Sequence, residues 1–191
     1  MKSLLHNVEP GLRKLMVIVL VICLAWRGQA QNSDQGFFSS DEIVEITLKT
    51  DLKNLIKKKR DDKYQPAEFI VNGKSYAIRL KARGAYRLEN CSFPPITLNF
   101  SKTDFEDKSY DQLKKLKLVN ACKMQSTYEQ YILREYLIYR TFNLMTDKSF
   151  KVRLLKIEYL DANNKIKPAN QYGFVIEDQH MMAERLDGIL N

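Results

Sequence analysis

The stretch from Thr127 to Met145, TYEQYILREYLIYRTFNLM, constrains this chain most, because its apolar residues cover more of a helix than the stripe a surface helix needs. It opens through Ser126 with Glu129 three residues on, a capping box in which the hydroxyl and the carboxylate each satisfy an orphan backbone N–H. Tyr128, Tyr131, Ile132, Leu133, Tyr136, Leu137, Ile138, Tyr139, Phe142 and Leu144 make an apolar surface wider than a single stripe. Packing on more than one side is therefore expected. Within this helix Glu135 has only Tyr131, Ile132, Ile138 and Tyr139 three and four positions away, so no cation on the helix reaches it. A carboxylate in such company takes a partner from elsewhere in the fold or a raised pKa.

The first thirty residues read as a targeting segment. Arg13 and Lys14 lead into the apolar run from Leu15 to Ala25, and Gly28-Gln29-Ala30 offers small residues for cleavage after Ala30. An uncleaved anchor is the alternative, but the run is well short of the ~20 residues a span requires. Residues 31–42 are expected as a flexible mature N-terminus and 43–191 as one domain. The chain is then exported to the periplasm, the cell surface or the extracellular space, and meets a membrane only through the uncleaved signal.

Charge and cysteine content narrow the chemistry. The formal charge of +8 falls to +5 once Lys2, Arg13, Lys14, Arg27 and Glu9 are removed, a modest excess in an exported protein, so nucleic acid is not an expected partner. Cys91 and Cys122 remain; they either pair in an oxidising compartment or stay as two buried thiols. With His180 the one histidine left, a His/Cys metal site or a His-based triad lacks parts. Glu177 and Asp178 are adjacent on a strand and point apart, which disfavours a carboxylate hydrolase.

Strands are expected at Ile43 to Leu48, at Phe69 to Val71 and Ser75 to Ala82 joined by the turn Asn72-Gly73, at Ile96 to Phe100, at Leu113 to Ala121, and at Lys151 to Asp161 paired with Tyr172 to Ile176. A short helix follows Asp51, and Gln179 to Leu186 forms a last one. On the second hairpin strand Arg79, Lys81 and Arg83 share a face, followed by Gly84 and Arg87. This basic row can grip phosphate, partner Glu135, or simply face solvent on snorkelling stems. The expected fold is α+β, a mostly antiparallel sheet packed on one long helix, in outline a kinase small lobe.

The order of these motifs resembles the CotH family, the atypical protein kinases of bacterial spore coats, from about Ile43 to Leu186. The matching pieces are Arg79-Leu80-Lys81-Ala82-Arg83-Gly84-Ala85-Tyr86-Arg87, the strand Leu116 to Asn120, Arg134-Glu135, the strand Val152 to Tyr159, and Tyr172-Gly173-Phe174-Val175-Ile176-Glu177-Asp178. Where many family members carry a lysine-rich strand, this chain has Phe93-Pro94-Pro95-Ile96-Thr97-Leu98-Asn99-Phe100.

The resemblance implies a nucleotide-phosphate site, with ATP and Mg²⁺ as cofactors and transfer of the γ-phosphoryl group to protein hydroxyls. Its residues would be Lys81, Arg83, Arg87, Glu135 and Glu177, with Lys81 or Arg83 paired to Glu135 and Glu177-Asp178 at the passage between the lobes. The family's catalytic and metal-binding aspartates would fall beyond Asn191, so this portion is expected to be inactive without them. The competing expectation is a non-enzymatic envelope or surface protein that binds a protein partner on the same scaffold.

Overall fold

A computed structural model describes residues 36–189. The expected signal segment and the cleavage point after Ala30 lie outside the described residues. Seven strands form the frame: β1 (Val44–Thr50), β2 (Gln65–Val71), β3 (Lys74–Ala82), β4 (Ile96–Asn99), β5 (Lys115–Val119), β6 (Val152–Asp161) and β7 (Ala169–Ile176). The helices are α1 (Leu52–Lys57), α2 (Tyr86–Asn90), α3 (Glu129–Met145) and α4 (Gln179–Arg185).

The strands close into a barrel in the order β1-β2-β3-β4-β5-β7-β6. Every neighbouring pair is antiparallel except the closing one, where β1 lies parallel to β6 with Ile46 opposite Ile157 and Thr50 opposite Asp161. The expected α+β sheet packed on one long helix, resembling a kinase small lobe, is therefore corrected to a closed barrel that carries the helix outside. Strand patterning predicts which residues share a face, but it cannot reveal that the first strand and a strand more than a hundred residues later complete one ladder.

Alternation fills the barrel. Ile46 and Leu48, Phe69, Ile78 and Leu80, Ile96 and Leu98, Leu116 and Leu118, and Leu155, Ile157 and Tyr159 are buried in one continuous core. Gly173 faces the same interior: a Cβ there would stand 2.8 Å from Ile157 Cδ1 and 3.1 Å from the Val119 carbonyl oxygen, so β5, β6 and β7 close tightly only around a glycine. The turn at Asn72-Gly73 takes φ of 52° and 74°, the left-handed pair a two-residue hairpin requires.

Each end of the barrel has its own stopper. At one, α1 lays Leu52 and Leu55 over the core; Asp51 accepts the Asn54 N–H (2.8 Å), and the buried Asp161 carboxylate accepts from Leu52 (2.9 Å) and Lys165 (2.6 Å). At the other, Phe37 and Phe38 are buried although they fall in the stretch expected to be flexible. Arg153 points into the barrel from β6, donates to the carbonyls of Glu42 (2.8 Å) and Phe37 (2.5 Å), and sets its guanidinium 5.3 Å from the Phe37 ring centroid.

The 17-residue α3 lies across the outside of β5, β7 and β6. Ile132, with Tyr136 and Tyr139, packs on Val119, Val152, Phe174 and Ile176, a second core separate from the barrel's. Only one face is used, so the expectation of packing on more than one side is corrected too. The helix also starts later than its capping box: Ser126–Tyr128 is a 3-10 turn, and Glu129 accepts the Tyr172 N–H of β7 (3.2 Å) instead of closing a box. No helix among the described residues is long and apolar enough to cross a membrane.

Candidate functional site

The residues expected to act together divide between two places on the molecule. Arg83 leaves β3 with its N–H on the Pro95 carbonyl (2.9 Å), and the chain then turns through Gly84 (φ 94°) into α2. That helix, missed in the sequence because it has only five residues, presents Arg87, whose guanidinium donates to the Asn120 carbonyl at the exit of β5. The Cys91–Cys122 disulfide, with Cα atoms 4.7 Å apart, ties the end of α2 to the same exit, so of the two expectations for these cysteines it is pairing that the structure contains. Asn120 is buried beneath and donates to the carbonyls of Pro94 (3.0 Å) and Ala121 (3.3 Å).

Here the expected Arg83, Arg87 and Glu135 do come together. Burial pushes both guanidinium pKa values down; Tyr139 and Glu135 pull Arg83 back up, Glu135 does the same for Arg87, and Arg83 depresses Arg87 as a like charge. Burial, with the Glu135 charge added, raises the Tyr139 phenol. Arg83, Arg87 and Glu135 are all half-buried, and their charges act on one another without a salt bridge joining them among the described residues. Lys81 takes no part: it pairs with Asp62 and stands 5.1 Å from the Tyr64 ring centroid, to which Arg79 also lies close at 5.5 Å. Of the two expected partners for Glu135, Arg83 is the one nearby.

Glu177 is elsewhere. Just past the end of β7, 4 % exposed, it receives a two-pronged guanidinium from Arg185 of α4 (Nε to Oε1 3.0 Å, Nη2 to Oε2 2.9 Å) and the Lys151 N–H (2.9 Å). Arg185 also donates to the carbonyls of Asp147 (2.8 Å) and Ser149 (2.9 Å). This network pins α4 and the turn before β6 to the barrel end. Glu177 therefore sits apart from Arg83, Arg87 and Glu135: the register sets Arg83 beside Pro95 and level with Val119 and Phe174, three strands and three residues away from Glu177, whose carboxylate is taken by Arg185.

Sequence reasoning missed the most exposed feature. On α3, Tyr131, Leu137, Ile138, Phe142, Leu144 and Met145 are each 55 to 84 % exposed. By helical spacing they form two stripes, Tyr131–Ile138–Phe142–Met145 and Leu137–Leu144, the second continued by the half-buried Leu133, parted by the exposed polar line Gln130–Arg134–Thr141. The signal was present as the over-wide apolar surface of this helix, but a sequence does not say which part of that surface the barrel covers.

Among the described residues no three His, Cys, Asp or Glu side chains gather in a way that could hold a metal ion. A pocket of about 650 Å³ beside α4, lined by Lys114, Lys115, Asp178, His180 and Glu184, brings charges of both signs together without using any of the expected site residues. No protein-family model and no curated protein matches the chain.

Proposed function

We propose that this protein is a non-enzymatic binding module of the cell envelope or surface, in which the barrel is the scaffold and the outer face of α3 is the docking element. The observation that carries the reading is the exposure of six large apolar side chains on one 17-residue helix whose opposite face is already fixed to the barrel. A monomer leaves so much aligned apolar surface in water only at a cost, and such surfaces characteristically serve interaction. Export is supported by the targeting-like segment ahead of Ala30 and by the Cys91–Cys122 disulfide, which persists in oxidising compartments.

The test places a photo-crosslinking amino acid at Ile138, and separately at Asn163 on the remote β6–β7 loop, in cells that make the protein. A discrete adduct at 138, absent at 163 and lost when Phe142→Glu is added, is the expected result. Adducts of equal yield at both positions, or an adduct indifferent to Phe142→Glu, overturn it.

A second reading, binding of nucleotide phosphates as the CotH resemblance implies, draws on Arg83 and Arg87 beside Glu135. Their guanidiniums are the groups that would hold the phosphates, while Mg²⁺ would neutralise charge on them. Titration with ATP and Mg²⁺, followed by calorimetry on wild type and Arg83→Gln, separates the two readings. Saturable heat that disappears in the variant favours the nucleotide.

A further inference from the structure

The strand register places a basic wall directly beside the exposed helix. Lys81, Thr97, Lys117 and Ile176 are successive partners across β3, β4, β5 and β7, so all four lie on the barrel's outer face. Ile176 is the end of that row and is already beneath α3. Lys117 is therefore the neighbour of the helix on the sheet, exposed, with Arg83 and Arg87 closing the row at the barrel end. The flank of α3 that faces this wall is identified by two observations. Glu135 and Tyr139 act on the charge of Arg83, whereas Arg140, on the other flank, reaches Asp41 (2.7 Å). Of the two apolar stripes, Tyr131–Ile138–Phe142–Met145 is the one on the Glu135 side.

We propose that this stripe and the Lys117–Arg83–Arg87 wall form one docking surface for an acidic amphipathic helix of a partner protein; the inference rests on the docking role of α3 and names the class of its partner. Two features of the fold select a helix. A closed barrel has no free edge to which a partner strand could add, leaving side-chain docking as the available mode. The stripe also runs from Tyr131 to Met145, fourteen steps of about 1.5 Å or about 21 Å, which an apolar face of four helical turns matches. Charge complementarity selects acidic residues: Asp62 occupies Lys81, and Glu135 is shared between two arginines, which leaves Lys117 and part of the Arg83–Arg87 charge to be met.

The same complementarity argues against a second copy of this chain, since pairing through this flank would bring cations against cations. A membrane surface fits less well. The polar line Gln130–Arg134–Thr141 splits the apolar face, and Arg83 and Arg87 are half-buried where cations that meet lipid headgroups would stand exposed.

The experiment uses two labelled synthetic 18-residue helices with the same leucine stripe, one flanked by glutamates and one by lysines, titrated against the disulfide-bonded protein by fluorescence anisotropy. The glutamate helix should bind at least about tenfold tighter than the lysine helix. Raising the salt should shrink that preference, as should Lys117→Glu at an exposed position on the barrel's outer face, and Phe142→Glu should abolish binding of both. Equal affinity for the two helices overturns the charge argument while leaving the helix face as a docking surface. Failure of both, with the Ile138 adduct still formed in cells, overturns the helical partner but not the docking role; failure of both with no adduct overturns both readings. Flotation with phosphatidylglycerol-containing vesicles as strong as binding of the glutamate helix assigns the surface to a membrane and overturns the proposal.

Discussion

Removing either member of the Glu177–Arg185 pair should destabilise the protein strongly and unequally. Glu177 is 4 % exposed and, among the described residues, its partners besides the guanidinium are backbone; Arg185 is 20 % exposed and keeps two carbonyl acceptors if the carboxylate goes. Breaking a buried pair typically costs 3–5 kcal/mol, because the surviving charge is stranded. For Arg185→Met the stranded group is the almost fully buried carboxylate, held by one N–H, so the loss should reach about 3–5 kcal/mol. For Glu177→Gln the guanidinium still meets the Asp147 and Ser149 carbonyls and some water, so about 2 kcal/mol is the expected loss. Urea melts of wild type, both single variants and the double would measure this, with unchanged slopes confirming that the same fold is melting. The double variant should lose less than the sum of the singles by 1 kcal/mol or more, a gap of the ~0.5–3 kcal/mol size seen for contacting groups. Additive losses, or Glu177→Gln costing more than Arg185→Met, would refute the reasoning that burial of the carboxylate dominates.

The Cys91–Cys122 bridge closes a separation of 31 residues, for which the chain-entropy account gives about 4 kcal/mol; Cys91→Ser with Cys122→Ser should lower the urea midpoint accordingly, and an unchanged midpoint would contradict it. Burial works to raise the Asp161 pKa, but backbone N–H groups of Lys165, Leu52, Lys53 and Asn163 overcome it and hold the carboxyl below its usual value. Since the folded value lies under the unfolded one, near 3.9, this stabilisation is fully present above the unfolded value and disappears as pH falls through the folded one. Asp161→Asn should thus be destabilised at neutral pH, and the gap to wild type should narrow in melts as the pH is taken down through the folded value, whereas a gap independent of pH would show that the carboxylate charge is not what matters.

Local elements were readable from the chain because short-range physics determines them. Alternation put Ile78 and Leu80 inward and Lys81 outward, Asn72-Gly73 dictated its turn, and Asp51 capped α1. The sequence also marked Glu135 as a carboxylate in need of a distant cation and named Lys81 or Arg83 as the candidates; the fold leaves Arg83 within reach of its charge and gives Lys81 to Asp62. Every other decision needed the tertiary structure. Closure of the sheet depends on β1 meeting β6, a pairing that leaves no trace in either strand's own pattern. The exposed stripes of α3 exist because the outer face of β5–β7 is only wide enough to cover one side of a helix that is apolar nearly all round. Glu177 stands apart from Arg83 because β4 and β5 lie between β3 and β7, and the order of residues along a chain says which groups are present and not which strands a closed barrel will set between them.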